Sequence, residues 1–552
     1  MSAAWNARPG ARRGVYRTAL ALLASLALFA LALGVYGIRY ATNDDAILAN
    51  IASGAYGPDR VHLIYVNILF GCLIRPLYLL AEGVNWYVIV QLALVFVCCT
   101  VLCRMAMDRL GAAAGLCLFG AVAAPFLIQM LYMFQYVKNA ALCVATGLLL
   151  VAATLGRPGR RTVLGVALVV LGSMLRWPMF CAVGGLSAAL LLGRFFGLDG
   201  AGKRRAAATM AVLFALVLGA KTVDVLAYRL DDGWRAYTEY NAARTRFSDY
   251  KAQLLPEENL LVEQGVSDTD YAMLLRWDFY DGTAFPTERV AALAEQVPGR
   301  SLQNMIKDVL RTGLSLLHGA SWRYGFVLLL AAGVLLLRPN RRALPFWGTM
   351  TLLGLEVTGL AALSRFPTYV EVPLLAAAVL FGLYCLGQGD LRRPAGVCLT
   401  AAALVLALAV SAPALLSGRA ASRAYREWAE SEQSYLEAMS RDKAHLYLLS
   451  TEATTVAAGL DVWHARPVDF YSNILVFGGW MSHTPSREQA LAAYGLTDPL
   501  TGVVDNAAVY LDYHGIQLAA CYASEHLGCP VEAVDCGENR FAPYQLRTAQ
   551  TA

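Results

Sequence analysis

Apolar runs about as long as a bilayer is thick recur along the chain, and no other feature constrains its fold as strongly. The first run extends from about Tyr16 to Tyr36, and about 20 apolar residues in a helix cross the hydrocarbon core of a membrane. Of the 552 residues, 58% are hydrophobic and only 15% are charged, whereas a soluble protein averages about a quarter charged residues. The sequence therefore predicts a mostly α-helical, polytopic membrane protein.

Charged residues between the runs predict the orientation of the chain. Residues 8 to 17 carry four arginines and no acidic residue, which favours a cytoplasmic N-terminus. Every second later loop is also basic, through Arg104 and Arg109, then Arg157, Arg160 and Arg161, then Arg194, Lys203, Arg204 and Arg205, then Arg338, Arg341 and Arg342, then Arg392 and Arg393. This pattern predicts about eleven spans, a location in the cytoplasmic membrane and an extracytoplasmic C-terminus. The ten later spans are predicted at Trp86–Leu102, Ala112–Leu131, Ala140–Leu155, Val163–Met174, Phe180–Leu192, Ala206–Val223, Tyr324–Leu337, Pro345–Ala361, Val372–Leu386 and Val397–Leu415.

One apolar segment is not counted among these spans. Val61 to Glu82 contains Arg75 and Pro76, and a charged residue at the bilayer centre is costly, so we expect a helix on the outer membrane surface. A true span is the alternative. It would invert every later loop and break the alternation of basic loops.

Two external parts are large. The predicted transmembrane domain, residues 1–417, includes an external loop at 38–85 and a long polar loop at 230–323. Residues 418–441 are predicted to form a helical stalk. In residues 442–552, short apolar runs alternate with helical patterns, which indicates an extracytoplasmic α/β domain. The runs expected to be strands are Leu446–Leu449, Ile474–Phe477, Ala508–Leu511 and Val531–Val534, and Thr484-Pro485 is typical of a helix start.

Two adjacent carboxylates, Asp44 and Asp45, follow the first span on the external side. They either cap the next helix, as Asn and Asp commonly do, or perform chemistry close to the lipid boundary. Basic side chains at the same predicted depth favour chemistry: Arg60, His62, Lys138, Arg176 and Arg365. A carboxylate can accept the proton of an attacking hydroxyl, and cations can stabilise a departing phosphate. Each basic residue taken alone is equally typical of a side chain that only reaches to the lipid headgroups.

The order of these features resembles the GT-C class of membrane glycosyltransferases, which includes protein mannosyltransferases and aminoarabinose transferases of lipid A. Asp44-Asp45 resembles the acidic pair that follows the first span in that class. The segment from His62-Leu63-Ile64-Tyr65 to Gly83-Val84-Asn85 resembles its surface-helix region, and Ser364 to Tyr369, followed by Pro373, resembles its late Arg-Tyr-Pro element.

The resemblance implies an inverting transfer of a sugar from a polyprenyl-phosphate donor to a glycan, lipid or protein acceptor. It implies that Asp44 is the base, that Asp45 orients it or caps a helix, and that Lys138, Arg176 and Arg365 meet the phosphate. Two departures stand out. The prolines expected after His62 are absent, and Lys138-Asn139 occupies a position where many members have an acidic residue. Without that second carboxylate a divalent cation is less well held, so we expect no metal and no other cofactor.

Three other functions are also compatible with a polytopic membrane protein of this kind. A transporter or flippase for lipid-linked glycans would also be polytopic, but no inverted repeat is visible. An O-antigen-type polymerase or ligase would rely on external arginines and a histidine and would not need the acidic pair. A non-catalytic receptor or assembly factor would use its external domain to bind a partner. The net charge of +5 is spread along the loops, so no nucleic-acid partner is expected.

The cysteines and the aromatic residues of the external domain give weaker signals. Nine of the twelve cysteines lie in or beside apolar segments, which is typical of small packing residues. Of the external three, Cys529 and Cys536 are candidates for a disulfide and Cys521 for a free thiol. Five residues of the external domain could line a surface that binds the acceptor, or they could be ordinary core and loop residues: His464, Asp469, Tyr471, Trp480 and His483.

Overall fold

A computed structural model describes residues 9–248, 263, 265–278, 281–296, 300–336, 343–386, 394–451, 461–512, 514–537 and 542–549. Helices dominate up to residue 441. Their bounds are Pro9–Leu31, Asn43–Ser53, Ile68–Leu80, Trp86–Leu110, Ala112–Val122, Ile128–Tyr132, Tyr136–Thr154, Arg160–Leu175, Trp177–Phe196, Gly200–Leu230, Asp232–Ser248, Asp268–Leu275, Thr287–Glu295, Leu302–His318, Ala320–Leu335, Ala343–Ala362, Thr368–Cys385 and Pro394–Arg441.

Eight helices of the described chain are long and apolar enough to cross a membrane, which confirms the polytopic class. They coincide with eight of the eleven predicted spans. The other three predicted spans coincide with the helices Arg160–Leu175, Ala320–Leu335 and Ala343–Ala362. The basic loops at 337–342 and 387–393 lie outside the described residues.

The structure defines the bounds of three elements more closely than the sequence did. Residues 46–53, within the predicted external loop 38–85, form most of the helix Asn43–Ser53, which we call the Asp-pair helix. The predicted surface helix is shorter than its apolar pattern: it begins at Ile68, where the Asn67 side chain accepts a 2.9 Å hydrogen bond from the Leu69 N–H, and it ends at Leu80. The last span and the stalk form one continuous helix, Pro394–Arg441, which is about 70 Å long at 1.5 Å per residue.

The helix Tyr136–Thr154 is the centre of the membrane part, because every residue from Tyr136 to Ala152 is buried. Glycines let its neighbour approach closely: a Cβ on Gly147 would lie 2.5 Å from the Gly165 carbonyl oxygen, and one on Gly165 would lie 2.8 Å from the Gly147 oxygen. Small residues at such crossings are how membrane helices pack without large side chains between them. The buried centre fixes the position of the N-terminal end of this helix, where Lys138 and Asn139 lie.

Irregular turns shape the C-terminal ends of the first and third spans. Ala32–Tyr36 and Ala123–Leu127 are π-helical, a distortion that is frequent near functional sites. Just beyond, Arg39–Tyr40 pairs in parallel with Met133–Phe134 as a two-residue ladder. This ladder brings the chain that enters the Asp-pair helix next to the start of the central helix.

The region after the long helix contains a five-stranded mixed sheet, as expected for an α/β domain. Its strands are Leu446–Leu449, Ile474–Val476, Val509–Leu511, Val531–Asp535 and Tyr544–Thr548, and its helices include Pro485–Ala493 and Ile516–Leu527. In the sheet the strands lie side by side in the order Ile474–Val476, Leu446–Leu449, Val509–Leu511, Tyr544–Thr548 and Val531–Asp535. The first three in this order are parallel to one another, and Tyr544–Thr548 is antiparallel to both of its neighbours. The four predicted strands are present, and the fifth, Tyr544–Thr548, was missed.

This sheet domain docks directly on the loop between the first two spans. The Asn85 side chain donates hydrogen bonds to the Tyr40 hydroxyl at 2.8 Å and to the Val462 carbonyl at 3.0 Å. At the end of the Asp-pair helix, the Gly54 carbonyl accepts from the Asp469 N–H at 3.0 Å. The domain therefore covers the ends of the spans near which the acidic pair lies.

Candidate functional site

Asp45 is fully buried at the start of the Asp-pair helix. Its Oδ1 accepts hydrogen bonds from the Tyr136 N–H at 2.9 Å and from the Tyr87 hydroxyl at 3.2 Å, while its Oδ2 has no hydrogen-bond partner among the described residues. Burial, together with the charge of Asp44, raises the pKa of Asp45 well above its usual range despite those bonds and the nearby charge of Lys138. The charged form of Asp45 is therefore less favoured than that of an exposed carboxyl.

Asp44, the neighbouring residue, is only half-buried. Its Oδ1 accepts a 2.9 Å hydrogen bond from the indole N–H of Trp480 in the sheet domain. Both carboxylates thus bond to residues from other parts of the chain, so they do more than cap their own helix. Of the two, Asp44 is the one that a substrate could reach.

Aromatic rings connect the acidic pair to Arg176. The Trp480 ring lies 4.9 Å from the Tyr65 ring, and the Arg176 guanidinium lies 5.1 Å from the centre of Tyr65 and 5.6 Å from that of Tyr136. Stacking on aromatic faces holds a guanidinium in place without neutralising its charge. Arg176 is half-buried, so its charge is presented beside the acidic pair. We call Asp44, Asp45, Trp480, Tyr65, Tyr136 and Arg176 the acidic–aromatic cluster.

Lys138 lies one turn into the central helix and is 3% exposed. Its ammonium donates to the Met133 carbonyl at 3.2 Å, and it is close enough to Asp45 to influence that carboxyl electrostatically. The next residue, Asn139, donates to the Gln91 side chain at 3.1 Å. As the sequence indicated, this pair lies at the end of the span that is beside the carboxylates.

Arg60 and His62 lie in the loop that follows the Asp-pair helix. The Arg60 side chain covers Gly54, where φ is +87° and an added Cβ would lie 2.5 Å from its Nε. His62 bonds through Nδ1 to Asp59 Oδ2 at 2.7 Å and stacks on Trp234 at 4.7 Å. Burial alone would raise the pKa of Asp59, but the hydrogen bond and charge of His62 and the indole N–H of Trp234 lower it to about 2.

Arg365 lies in the turn between the helices Ala343–Ala362 and Thr368–Cys385. Its N–H donates to the Leu360 carbonyl at 2.8 Å, and the preceding Ser364 has φ of +52°. The following Phe366 packs edge-on against Trp322 at 6.2 Å. The ring contacts that define the acidic–aromatic cluster do not include Arg365.

Within the described residues, no group of three or more His, Cys, Asp or Glu is arranged to hold a metal ion. Metal independence stays a prediction. None of the twelve cysteines, all of which are described, is paired, so the suggested bond between Cys529 and Cys536 is not formed here.

Sequence reasoning missed the aromatic half of the cluster. Tyr65 was named only as part of a longer motif, and Trp480 only as one of several residues of an acceptor surface or an ordinary core. A tyrosine three residues after His62 and a tyrosine that begins the central helix carry no signal that distinguishes them from ordinary interfacial aromatics.

The arrangement joins two chemical capacities at one end of the spans. Asp44 offers a proton acceptor and Arg176 offers a fixed cation, and the aromatic rings of Trp480 and Tyr65 lie beside these groups. Asp45 fixes the helix that carries Asp44 through its bond to the Tyr136 N–H.

No protein-family model and no curated protein matches the chain. Two solved structures are similar to it over nearly their whole length, both of ArnT from Cupriavidus metallidurans. The structure in the apo state is 10% identical, covers 96% of this chain and 97% of its own, and has a TM-score of 0.39. The structure bound to undecaprenyl phosphate is 12% identical, with the same coverage and a TM-score of 0.41. At these identities and TM-scores, the comparison assigns no residue of this chain a role.

Proposed function

We propose that the chain is an inverting glycosyltransferase that moves a sugar from a polyprenyl-phosphate donor to an acceptor hydroxyl on the extracytoplasmic face of the membrane. The observation that carries this proposal is the acidic–aromatic cluster, in which a reachable carboxylate and a fixed cation lie together at the external ends of apolar helices. A lipid-linked phosphate sugar combines an apolar tail, an anion and a sugar ring, and the surroundings of the cluster suit all three.

In the proposed reaction, the acceptor hydroxyl oxygen attacks the anomeric carbon while its proton passes to the carboxylate of Asp44. The new carbon–oxygen bond forms as the bond from the anomeric carbon to the phosphate oxygen breaks, with inversion at that carbon. The polyprenyl phosphate leaves with the bonding electron pair, and Arg176 stabilises the negative charge that develops on it. Lys138 and Arg365 are proposed as further contacts of the phosphate.

Asp45 is proposed as a positioning residue. It ties the Asp-pair helix to the Tyr136 N–H at the start of the central helix, and an Asn side chain could accept the same two hydrogen bonds through its amide oxygen. Arg60 and His62, which follow on the same external loop, are proposed to contact the acceptor. The covering sheet domain is proposed to hold that acceptor against the cluster.

The test is transfer of radiolabelled sugar from a panel of polyprenyl-phosphate donors in membranes that contain the wild type, Asp44→Asn or Asp45→Asn at equal expression. Loss of a base typically lowers a rate about 100- to 10,000-fold, so Asp44→Asn should abolish detectable transfer. Asp45→Asn should keep a measurable part of the activity, because Asn resembles the neutral carboxyl that burial favours.

Asp232→Asn is the matched control, since Asp232 is an exposed carboxylate paired with the exposed Arg235. It should transfer like the wild type. If Asp44→Asn transfers as well as Asp232→Asn, Asp44 is not the base, and the transporter, polymerase and receptor alternatives become the better explanations. If Asp45→Asn alone abolishes transfer, Asp45 is the base and Asp44 is the positioning residue.

A further inference from the structure

The helix Leu302–His318 exposes an apolar stripe that nothing in the described protein covers. Large apolar side chains recur every three or four residues along one side, and all are more than half exposed: Leu302 at 69%, Ile306 at 51%, Leu310 at 62%, Leu314 at 61% and Leu317 at 66%. A surface helix of a soluble protein turns such a stripe towards the core. This helix turns it outwards, although sequence analysis placed it in a polar external loop.

The other sides of this helix fix its orientation. One side packs on the protein through Asp308, which is 8% exposed and accepts hydrogen bonds from Arg300 and from the Ser364 hydroxyl, the latter at 2.9 Å. Lys307, Arg311 and His318 are exposed and lie beside the stripe. An apolar side flanked by a basic side is typical of a helix that lies in the plane of a membrane surface.

The stripe is also continuous with a lipid-facing surface. A single residue, Gly319, separates this helix from the apolar helix Ala320–Leu335. The outward side chains of the second helix, Phe326, Val327 and Val334, are between 47% and 64% exposed. The Ser321 hydroxyl donates to the Pro125 carbonyl in the π-helical turn of the third span, whose far end approaches the Asp-pair helix. The stripe therefore lies at the membrane surface on the side of the acidic–aromatic cluster.

We propose that the helix Leu302–His318 lies in the membrane interface on the side of the acidic pair, with its apolar stripe among lipid acyl chains and its basic side at the anionic headgroups. Through the hydrogen bond between Asp308 and Ser364, it holds Ser364, the residue before Arg365, at the same depth in the membrane interface. The helix thus acts as a membrane-anchored support for the Arg365 turn. This proposal does not depend on the proposed glycosyltransferase activity.

The experiment is photo-crosslinking in nanodiscs of phosphatidylethanolamine and phosphatidylglycerol, with p-benzoylphenylalanine placed at one position at a time in the full chain. The test positions are Ile306 and Leu310 on the stripe. Phe326 is the positive control in the lipid-facing span, and Ser315, exposed on the polar side of the same helix, is the matched negative control. Intact mass measurement after illumination reports lipid adducts, and gel-filtration elution reports that each variant is folded.

Ile306 and Leu310 should form lipid adducts at a yield within about twofold of Phe326, and Ser315 should form at least fivefold less. Equal yields at Ser315 and Leu310 would overturn the orientation. Adducts at Phe326 without adducts at Ile306 and Leu310 would overturn membrane contact, and a crosslinked dimer from the stripe positions would assign the stripe to a second copy of the chain instead.

Discussion

The indole N–H of Trp480 donates a 2.9 Å hydrogen bond to Oδ1 of Asp44, although the two residues lie 436 positions apart. Trp480 is only 8% exposed, and its own carbonyl accepts a 2.8 Å hydrogen bond from the Tyr237 hydroxyl in the helix Asp232–Ser248. Three separate parts of the chain therefore meet at Trp480. The sheet domain completes the acidic–aromatic cluster, and we expect Trp480 to act as a positioning residue for Asp44.

Trp480→Phe tests that role, because it keeps an aromatic ring against Tyr65 and removes only the N–H donor. A hydrogen bond to a charged group contributes about 1.5–3 kcal/mol, so kcat/KM for transfer should fall roughly 10- to 100-fold. The measurement is the pH profile of initial rates in nanodiscs. Losing the donor to Asp44 should also move the acidic limb of the profile to higher pH, since a carboxylate without that bond is more easily protonated.

Trp463→Phe is the control for this substitution. Trp463 belongs to the same domain and is 40% exposed, and its contact with the membrane part is made by its backbone carbonyl, which accepts from the Asn85 N–H. Rate and pH profile should stay at the wild-type values. A Trp480→Phe variant with a lower rate but an unshifted pH profile would give Trp480 a purely structural role.

Much of the fold was predictable because its signals are local. A run of about twenty apolar residues prefers the lipid core of a membrane to water, whatever it packs against, and is long enough to cross that core as a helix. Every predicted span indeed contains a helix. The strand Leu446–Leu449 and the helix that follows Thr484 were predicted for the same reason: their β-like apolar run and capping pattern lie within a few residues.

The remaining features depend on distant partners. Asp45 is buried because the ladder of Arg39–Tyr40 with Met133–Phe134 brings it to the Tyr136 N–H, and no local pattern reports that pairing. Trp480 reaches Asp44 only because the sheet domain docks on the first external loop. The helix Leu302–His318 has an apolar repeat that a search of its loop for helical periodicity would have found. Its outward orientation follows from the contact of Asp308 with Ser364 and is visible only in three dimensions.

Arg176 provides a second prediction about the proposed reaction. Replacing it with Gln removes the cation that rests on Tyr65 and Tyr136, and kcat/KM for the polyprenyl-phosphate donor should fall about tenfold or more. Arg176→Lys should recover only part of the loss, because a lysine keeps the charge but not the planar stacking or the bidentate contact with phosphate. Arg204→Gln is the control, since Arg204 is an exposed residue of the helix Gly200–Leu230. Wild-type kinetics for Arg176→Gln would remove Arg176 from the donor site.

Asp512 in the sheet domain makes stability depend on pH. It follows the strand Val509–Leu511 and is 1% exposed, with its Oδ2 accepting from the Ser450 hydroxyl at 2.8 Å and lying 3.6 Å from His514 Nδ1. Burial, only partly offset by these contacts, raises the pKa of Asp512 to about 6. The folded protein therefore binds this proton more tightly than the unfolded chain does, and the resulting stabilisation, complete below about pH 4, is lost as the pH rises through 6.

Asp512→Asn should for that reason raise the melting temperature, and raise it more at pH 7.5 than at pH 5. The ionised carboxylate costs about 3 kcal/mol once the pH exceeds 6, and about half of that at pH 5, so the free-energy gap between variant and wild type should widen by about 1–2 kcal/mol. The measurement is thermal unfolding of the full chain in detergent at both pH values. Asp535→Asn, at an exposed position of the same sheet, should show no such widening. A gap for Asp512→Asn that is constant with pH would mean that Asp512 stays ionised in the folded protein and that Ser450 and His514 compensate its burial.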